Sequence, residues 1–179
     1  RILDCSYPCS GSSSIILASE DLAKKFTDQP IWISGIGQKT NSASFMKNQL
    51  TTFSSSVIAA NDAYNMAKTT SKEIDVAEIH DAFSVCELMA VEDLNLAERN
   101  TGATYTRNLF NTEDRKINPR GGLIGAGHPL GATGISQVVE ITQQLQNNAE
   151  KRQISDAEKG LVHNMSAAAT SSSVLILES

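Results

Sequence analysis

Residues 118–134 read Asn-Pro-Arg-Gly-Gly-Leu-Ile-Gly-Ala-Gly-His-Pro-Leu-Gly-Ala-Thr-Gly. Four of the ten residues from Gly125 to Gly134 are glycine, so the backbone here can come close to a ligand. Pro129 fixes the chain just after His128 and just before a helix can begin. From Gly131 to Gln146 the residues Ile135, Val138, Val139, Thr142 and Leu145 fall on one stripe, which predicts the longest helix of the chain. His128 therefore sits on a stiff turn ahead of a helix N-terminus, whose positive dipole end disfavours an imidazolium. A histidine so placed can act on a thiolate or an oxyanion. A helix-capping loop with a structural histidine satisfies the same pattern.

Working outward, Val76-Ala77-Glu78-Ile79 predicts a strand that ends at His80-Asp81, and Val85, Leu88 and Met89 open an amphipathic helix reaching about Leu94. Residues 95–120 are polar and show no period, which predicts a long loop. Upstream, Val57, Ala60, Tyr64 and Ala67 give a helix from Ser54 to Lys68 with one face able to pack on a sheet. Residues 31–37 and 14–18 predict two more strands, with a short helix from Ser19 to about Phe26 between them. Downstream, residues 147–158 are charged and predicted exposed. Leu161-Val162 and Val174-Leu175-Ile176-Leu177 predict a closing strand pair around a stretch of small residues. Strands alternating with helices imply an α/β fold, a single three-layer domain over residues 1–179 with a mixed five-stranded sheet covered by helices.

The 179 residues suit one core. Fifteen Lys and Arg against twenty Asp and Glu give a net charge of −5, and no basic run offers a nucleic-acid or anionic-membrane surface. No stretch approaches the roughly 18 apolar residues needed to cross a bilayer. Cys5, Cys9 and Cys86 cannot all pair internally and lack a four-ligand zinc pattern, so a reducing, cytoplasmic setting without a metal is expected. The first residue is Arg1, no initiator Met precedes it, and no signal-peptide run follows. A fragment is the expectation.

Gly127-His128-Pro129-Leu130-Gly131 resembles the Gly-His-Pro motif of the thiolase superfamily, and Asn118-Pro119-Arg120-Gly121-Gly122 resembles the segment before it. Glu78-Ile79-His80-Asp81-Ala82-Phe83 is similar to that family's Asn-Glu-Ala-Phe motif in a His-Asp form, and Leu161-Val162-His163-Asn164 is similar to its closing strand. The forms nearest in pattern are the archaeal and sterol-carrier-type thiolases. The resemblance implies a thiolase-like fold and an acyl-CoA acetyltransferase that condenses or cleaves coenzyme A thioesters, with no permanently bound cofactor. It implies that His128 activates a cysteine nucleophile and that His80 lines an oxyanion site, with Asn164, Ser166, Gly127 and Phe83 around the substrate.

The nucleophile would come from an N-terminal half absent from this chain, so the chain alone should be inert. A homo-oligomer and an acyl-CoA-channelling partner protein are the implied associations. Two departures stand out. Asn164 and Ala82 occupy the positions where many thiolases carry an acid–base cysteine. Ser166-Ala167-Ala168-Ala169-Thr170-Ser171 replaces a glycine-rich turn, and its Cβ atoms oppose positive φ. Other functions remain: a ketoacyl synthase-like enzyme, against which Pro129 argues, and a non-catalytic acyl-CoA or lipid-binding or scaffold subunit.

Overall fold

The β-branched and aliphatic runs near the end of the chain pair with each other and with segments far upstream. The computed structural model describes residues 1–44, 47, 49–112 and 115–179. In chain order its elements are α1 (Glu20–Phe26), β1 (Trp32–Thr40), α2 (Ser54–Ala67), β2 (Val76–Glu78), α3 (Ser84–Asp93), α4 (Gly102–Asn111), α5 (Gly122–Ala126), α6 (Thr133–Leu145), β3 (Lys159–Met165) and β4 (Ser171–Glu178). The sheet runs β1-β4-β3-β2; β4 is antiparallel to both neighbours and β2 is parallel to β3, so the sheet is mixed.

Alternation sorts the strand residues into two cores. Leu161, Val174 and Ile176 face α2 and α3, packing on Ala59, Ala60, Ala63 and Val91. Val162 and Leu177 face α6, packing on Val138, Ile141 and Leu145. Ile141 is fully buried, and such a side chain contributes about 1.5–3 kcal/mol by leaving water. The result is helix, sheet, helix in three layers. No helix among the described residues is long and apolar enough to cross a membrane.

The sheet has four strands among the described residues, where five are expected. Residues 14–18 form no strand: Ile16 is 93 % exposed and Leu17 is 72 % exposed. A strand needs a partner for its backbone groups, and a β-prone run without one stays irregular. Residues 95–120 are not a continuous loop either, since they contain α4, whose Tyr105 packs against the first core. Nor are residues 147–158 uniformly exposed, because Ala149 and Ala157 are buried.

The α2–β1 contact is set by glycines. A Cβ on Gly37 would lie 1.8 Å from the Ala59 carbonyl oxygen, and one on Gly35 would lie 2.3 Å from that of Ala63. Only a bare backbone lets the alanine face of α2 come this close. Gly37→Ala should therefore force α2 off the sheet and cost about 3 kcal/mol, the upper range for overpacking. In a chain of this size that lowers the calorimetric Tm by roughly 10 °C. Gly131→Ala is the control, because nothing lies within 4 Å of its added Cβ. Equal melting for the two variants would refute this account of the packing.

Candidate active site

Two loops bring the histidines together at one end of the sheet. His80 follows β2, and Asp81 then turns back to accept the backbone N–H of Leu123 at 2.6 Å and that of Ile124 at 3.5 Å. This fastens the first turn of α5, and with it the glycine-rich segment, beside β2. Gly122 makes the contact possible: its φ is +62°, and a Cβ would lie 2.1 Å from Asp81 Oδ2. Asn118 adds a second pin, accepting the Ile79 N–H at 2.7 Å and donating to Glu87 at 2.9 Å.

The imidazoles of His80 and His128 meet edge to face, with centroids 5.1 Å apart and planes at 87°. Both border a cleft of about 810 Å³ that Phe83, Cys86, Met89, Leu130, Asn164 and residues 166–169 also line. Gly127 is not among the residues that line it; its φ of +85° favours glycine, and Cys9 and Tyr7 lie against it.

Hydrogen-bond partners assign each ring a tautomer. Thr133 Oγ1 donates its one proton to the Pro129 carbonyl at 3.1 Å, so the 2.7 Å contact with His128 must have Nδ1–H as donor. His128 Nε2 therefore carries a lone pair. His80 is the reverse. Gln137 Nε2 donates to the His163 carbonyl at 3.2 Å, which turns its Oε1 toward Asn164. Asn164 Nδ2 then donates both to Gln137 Oε1 at 2.9 Å and to His80 Nδ1 at 3.0 Å. His80 Nε2 is left as the N–H. One cleft thus holds a base and a hydrogen-bond donor of the same chemical type.

Both rings are neutral at pH 7. Burial, and then the proximity of His128, push His80 down to about 4. Burial also lowers His128, against a pull from Asp81. His163, fully buried, falls to about 3 through the same loss of solvation. Because these folded-state values lie below the ordinary 6.5, the unfolded chain binds more protons below pH 6.5, and stability is lost as the pH falls. Glu78 works in the other direction. Burial raises it from 4.5 to about 8 against the pull of Arg120, so its contribution falls as pH rises between those values.

On the acid side the buried histidines lower stability, while the carboxyls of Glu78, Asp81 and Glu87, which burial raises, oppose them. The two large histidine shifts together exceed that of Glu78, so the urea midpoint should be highest near pH 6.5, with on the order of 2 kcal/mol lost by pH 4.5. An equal or higher midpoint at pH 4.5 would contradict the burial of the two rings.

The remaining residues fall less simply. Phe83 is half exposed and lines the cleft. Ser166 also lines it, but its N–H donates to the Ser171 carbonyl at 2.8 Å and its hydroxyl accepts the Ser171 N–H at 2.9 Å. That amide is taken up by the hairpin. The turn beyond it adopts the left-handed geometry that its sequence opposes, with φ of +57° at Ala168 and +50° at Ala169, each costing on the order of 1 kcal/mol.

Cys86 is a buried thiol whose pKa is raised by desolvation, which keeps it protonated. Cys9, distant in sequence from any histidine, lies against Gly127: a Cβ there would be 2.7 Å from its Sγ. The leading segment crosses both motifs, Ser6 N–H donating to the Ala82 carbonyl at 2.9 Å and His128 N–H to that of Tyr7 at 3.1 Å. Sequence reading missed this strap, as well as Thr133 and Gln137, whose only signal was their place on the polar side of a helix start.

The chain belongs to the thiolases, in the family described as thiolase C-terminal domain-like, whose pattern matches residues 37–179. Among its relatives, an acetyl-CoA acetyltransferase of Methanothermobacter thermautotrophicus is 39 % identical over 168 residues, covering 92 % of this chain and 44 % of the relative. Human sterol carrier protein 2 is 38 % identical over 172 residues, covering 92 % of this chain and 31 % of that protein. A solved structure titled Ltp2-ChsH2(DUF35) aldolase shares the fold with a TM-score of 0.74 at 19 % identity, over 84 % of this chain and 40 % of the other. The chain spans less than half the length of each of these proteins.

Proposed function

We propose that this chain supplies the acid–base half of an acyl-CoA acetyltransferase, its nucleophilic cysteine coming from an N-terminal half. The observation that carries this is the pair of neutral imidazoles in one cleft, His128 presenting a lone pair and His80 an N–H. In the transfer direction, His128 Nε2 takes the proton of the cysteine thiol as the sulfur attacks the acyl-CoA carbonyl. The CoA thiolate leaves, and the same proton returns to its sulfur. A second acetyl-CoA then gives up an α-carbon proton to water, the carbanion attacks the carbonyl of the enzyme thioester, and the carbonyl carbon–sulfur bond breaks to give a 3-ketoacyl-CoA and a cysteine thiolate, which takes a proton back from water.

His80 Nε2–H donates to the oxygen on which negative charge develops. Asn164 holds His80 in that tautomer, Gly127 with its positive φ shapes the turn that presents His128, and Phe83 offers an apolar wall to the acyl or pantetheine part. Ser166 forms wall rather than oxyanion donor, because its amide is engaged. Cleavage of a 3-ketoacyl-CoA by CoA is the reverse. A homo-oligomer, a cytoplasmic setting and a partner that channels acyl-CoA belong to the same proposal and rest on membership of the family.

The engaged Ser166 amide and the alanine turn favour a second reading, a non-catalytic acyl-CoA or lipid-binding subunit. Incubation with acetoacetyl-CoA and CoA separates the two. The chain alone should show no thioester cleavage, and the full-length protein should show it. A full-length protein that binds acyl-CoA without turnover would establish the second reading, and robust turnover by the chain alone would overturn the division of labour.

A further inference from the structure

On the face of the sheet away from Asn164, four polar side chains are sealed from solvent: Ser55 and Ser56 of α2, His163 of β3 and Ser172 of β4 are each no more than 1 % exposed. They join in one line. His163 Nε2 lies 2.9 Å from Ser56 Oγ, which lies 2.9 Å from Ser172 Oγ, which lies 2.8 Å from Ser55 Oγ. Ser55 Oγ donates to the Ala169 carbonyl at 2.8 Å.

Each hydroxyl has a single proton, so this last bond orders all the others. Ser55 spends its proton on Ala169 and must accept from Ser172. Ser172 must then accept from Ser56, and Ser56 from His163. The ring consequently carries its proton on Nε2, and Nδ1 is a bare acceptor, in keeping with the buried His163 Nδ1 that has no hydrogen-bond partner. An unpaired lone pair there is more easily borne than an unpaired N–H.

The chain of bonds ends on the turn that the sequence least supports. Ala168 and Ala169 sit at positive φ, which alanine seldom adopts, and they line the cleft that holds His80 and His128. Such a conformation persists only where its surroundings over-determine it. We propose that Ser55, Ser56, Ser172 and His163 are positioning residues: a one-way hydrogen-bonded brace that fixes the Ala169 carbonyl inward and thereby holds the alanine turn as a wall of the substrate cleft. In the kinetic arm of its test this rests on the proposed acyltransferase reading; in the spectroscopic arm it does not.

The first measurement is made on the unaltered chain. Nitrogen-15 spectra should show His163 as the Nε2–H tautomer, with a ring proton slow to exchange, and the scalar couplings of Ala168 and Ala169 should report positive φ. A Nδ1–H signature overturns the brace outright. Ser55→Ala should move those couplings away from left-handed values and lower turnover by the full-length protein by about 10²-fold, the scale of an ångström-sized misplacement.

Ala168→Gly with Ala169→Gly, added to Ser55→Ala, should bring turnover back to within about threefold, since glycine holds positive φ unaided. A loss due merely to instability would not be repaired by glycines. Ser56→Ala breaks the line further away, so it should disturb the His163 signal and move the Ala168 and Ala169 couplings the same way as Ser55→Ala but by less; couplings left unmoved by it would remove Ser56 and His163 from the brace. Unchanged couplings in Ser55→Ala, or failure of the glycine pair to restore turnover, would overturn the proposal. A full-length protein with no turnover at all would refute the acyltransferase reading while the spectra still decide the brace.

Discussion

His128→Ala in the full-length protein should lower kcat/KM for thioester cleavage by about 10²–10⁴-fold, the usual worth of a positioned acid–base group. Binding of the CoA thioester should hardly change. The ring takes up a proton only as the sulfur attacks, so its loss falls on the transition state and not on the ground state. His128→Asn sharpens the test, because its side-chain amide nitrogen falls where Nδ1 lies and can keep the bond to Thr133 but is not basic. It should be as slow as the alanine variant. If kcat is unaltered and KM alone rises, His128 is a binding residue and the proposed proton route is wrong. His163, whose ring faces the opposite side of the sheet, is no neutral comparison, since it is bonded into the buried serine line.

The second large effect is expected at a residue that need not touch the reacting atoms. Asn164→Asp replaces the Nδ2 donor that faces His80 Nδ1 at 3.0 Å with a group that only accepts. His80 must then turn its proton to Nδ1, leaving a lone pair where the developing oxyanion needs a donor. Presenting the wrong tautomer costs about 10⁴ in a serine protease triad, and a loss of about 10²–10⁴ is expected here. Nitrogen-15 spectra of His80 should show the proton moved from Nε2 to Nδ1, a change that general loosening of the fold would not produce. Because the new carboxylate also faces Gln137 Oε1, melting must be followed in parallel. Full activity with the tautomer reversed would remove His80 from the oxyanion site.

How much of this could be read from the chain depends on how local each signal is. Helix α6 was legible because Ile135, Val138, Thr142 and Leu145 keep a helical period, and the closing strand pair because two apolar runs flank a stretch of small residues. Helix α4 was not, because Thr104, Thr106, Arg107 and Asn108 leave only Tyr105 and Leu109 to mark a face. The run at 14–18 has the composition of a strand without its partner, and pairing is a relation between segments that composition cannot supply.

His80 and His128 stood out through motifs, whereas their orienting groups did not. Gln137 and Asn164 are 27 residues apart, and Ser55 and Ser172 are 117 apart. Ser54-Ser55-Ser56 at a helix start reads as a capping sequence, yet two of its hydroxyls face inward. Contacts of that kind exist only once the sheet has brought α2 against β3 and β4.

That sheet has its own order of assembly. Strand β4, residues 171–178, lies between β1 and β3, so a segment translated after both of its neighbours is the one on which they depend. Trp32 pairs with Glu178, closing a loop of nearly the whole chain before the first rung forms. Until β4 emerges, β1 and the alanine face of α2 have no central strand to settle on, and they present an unpaired edge to whatever is nearby. The growing polypeptide thus passes through a vulnerable interval set by the time between translation of β1 and translation of β4, and that eight-residue strand ends it.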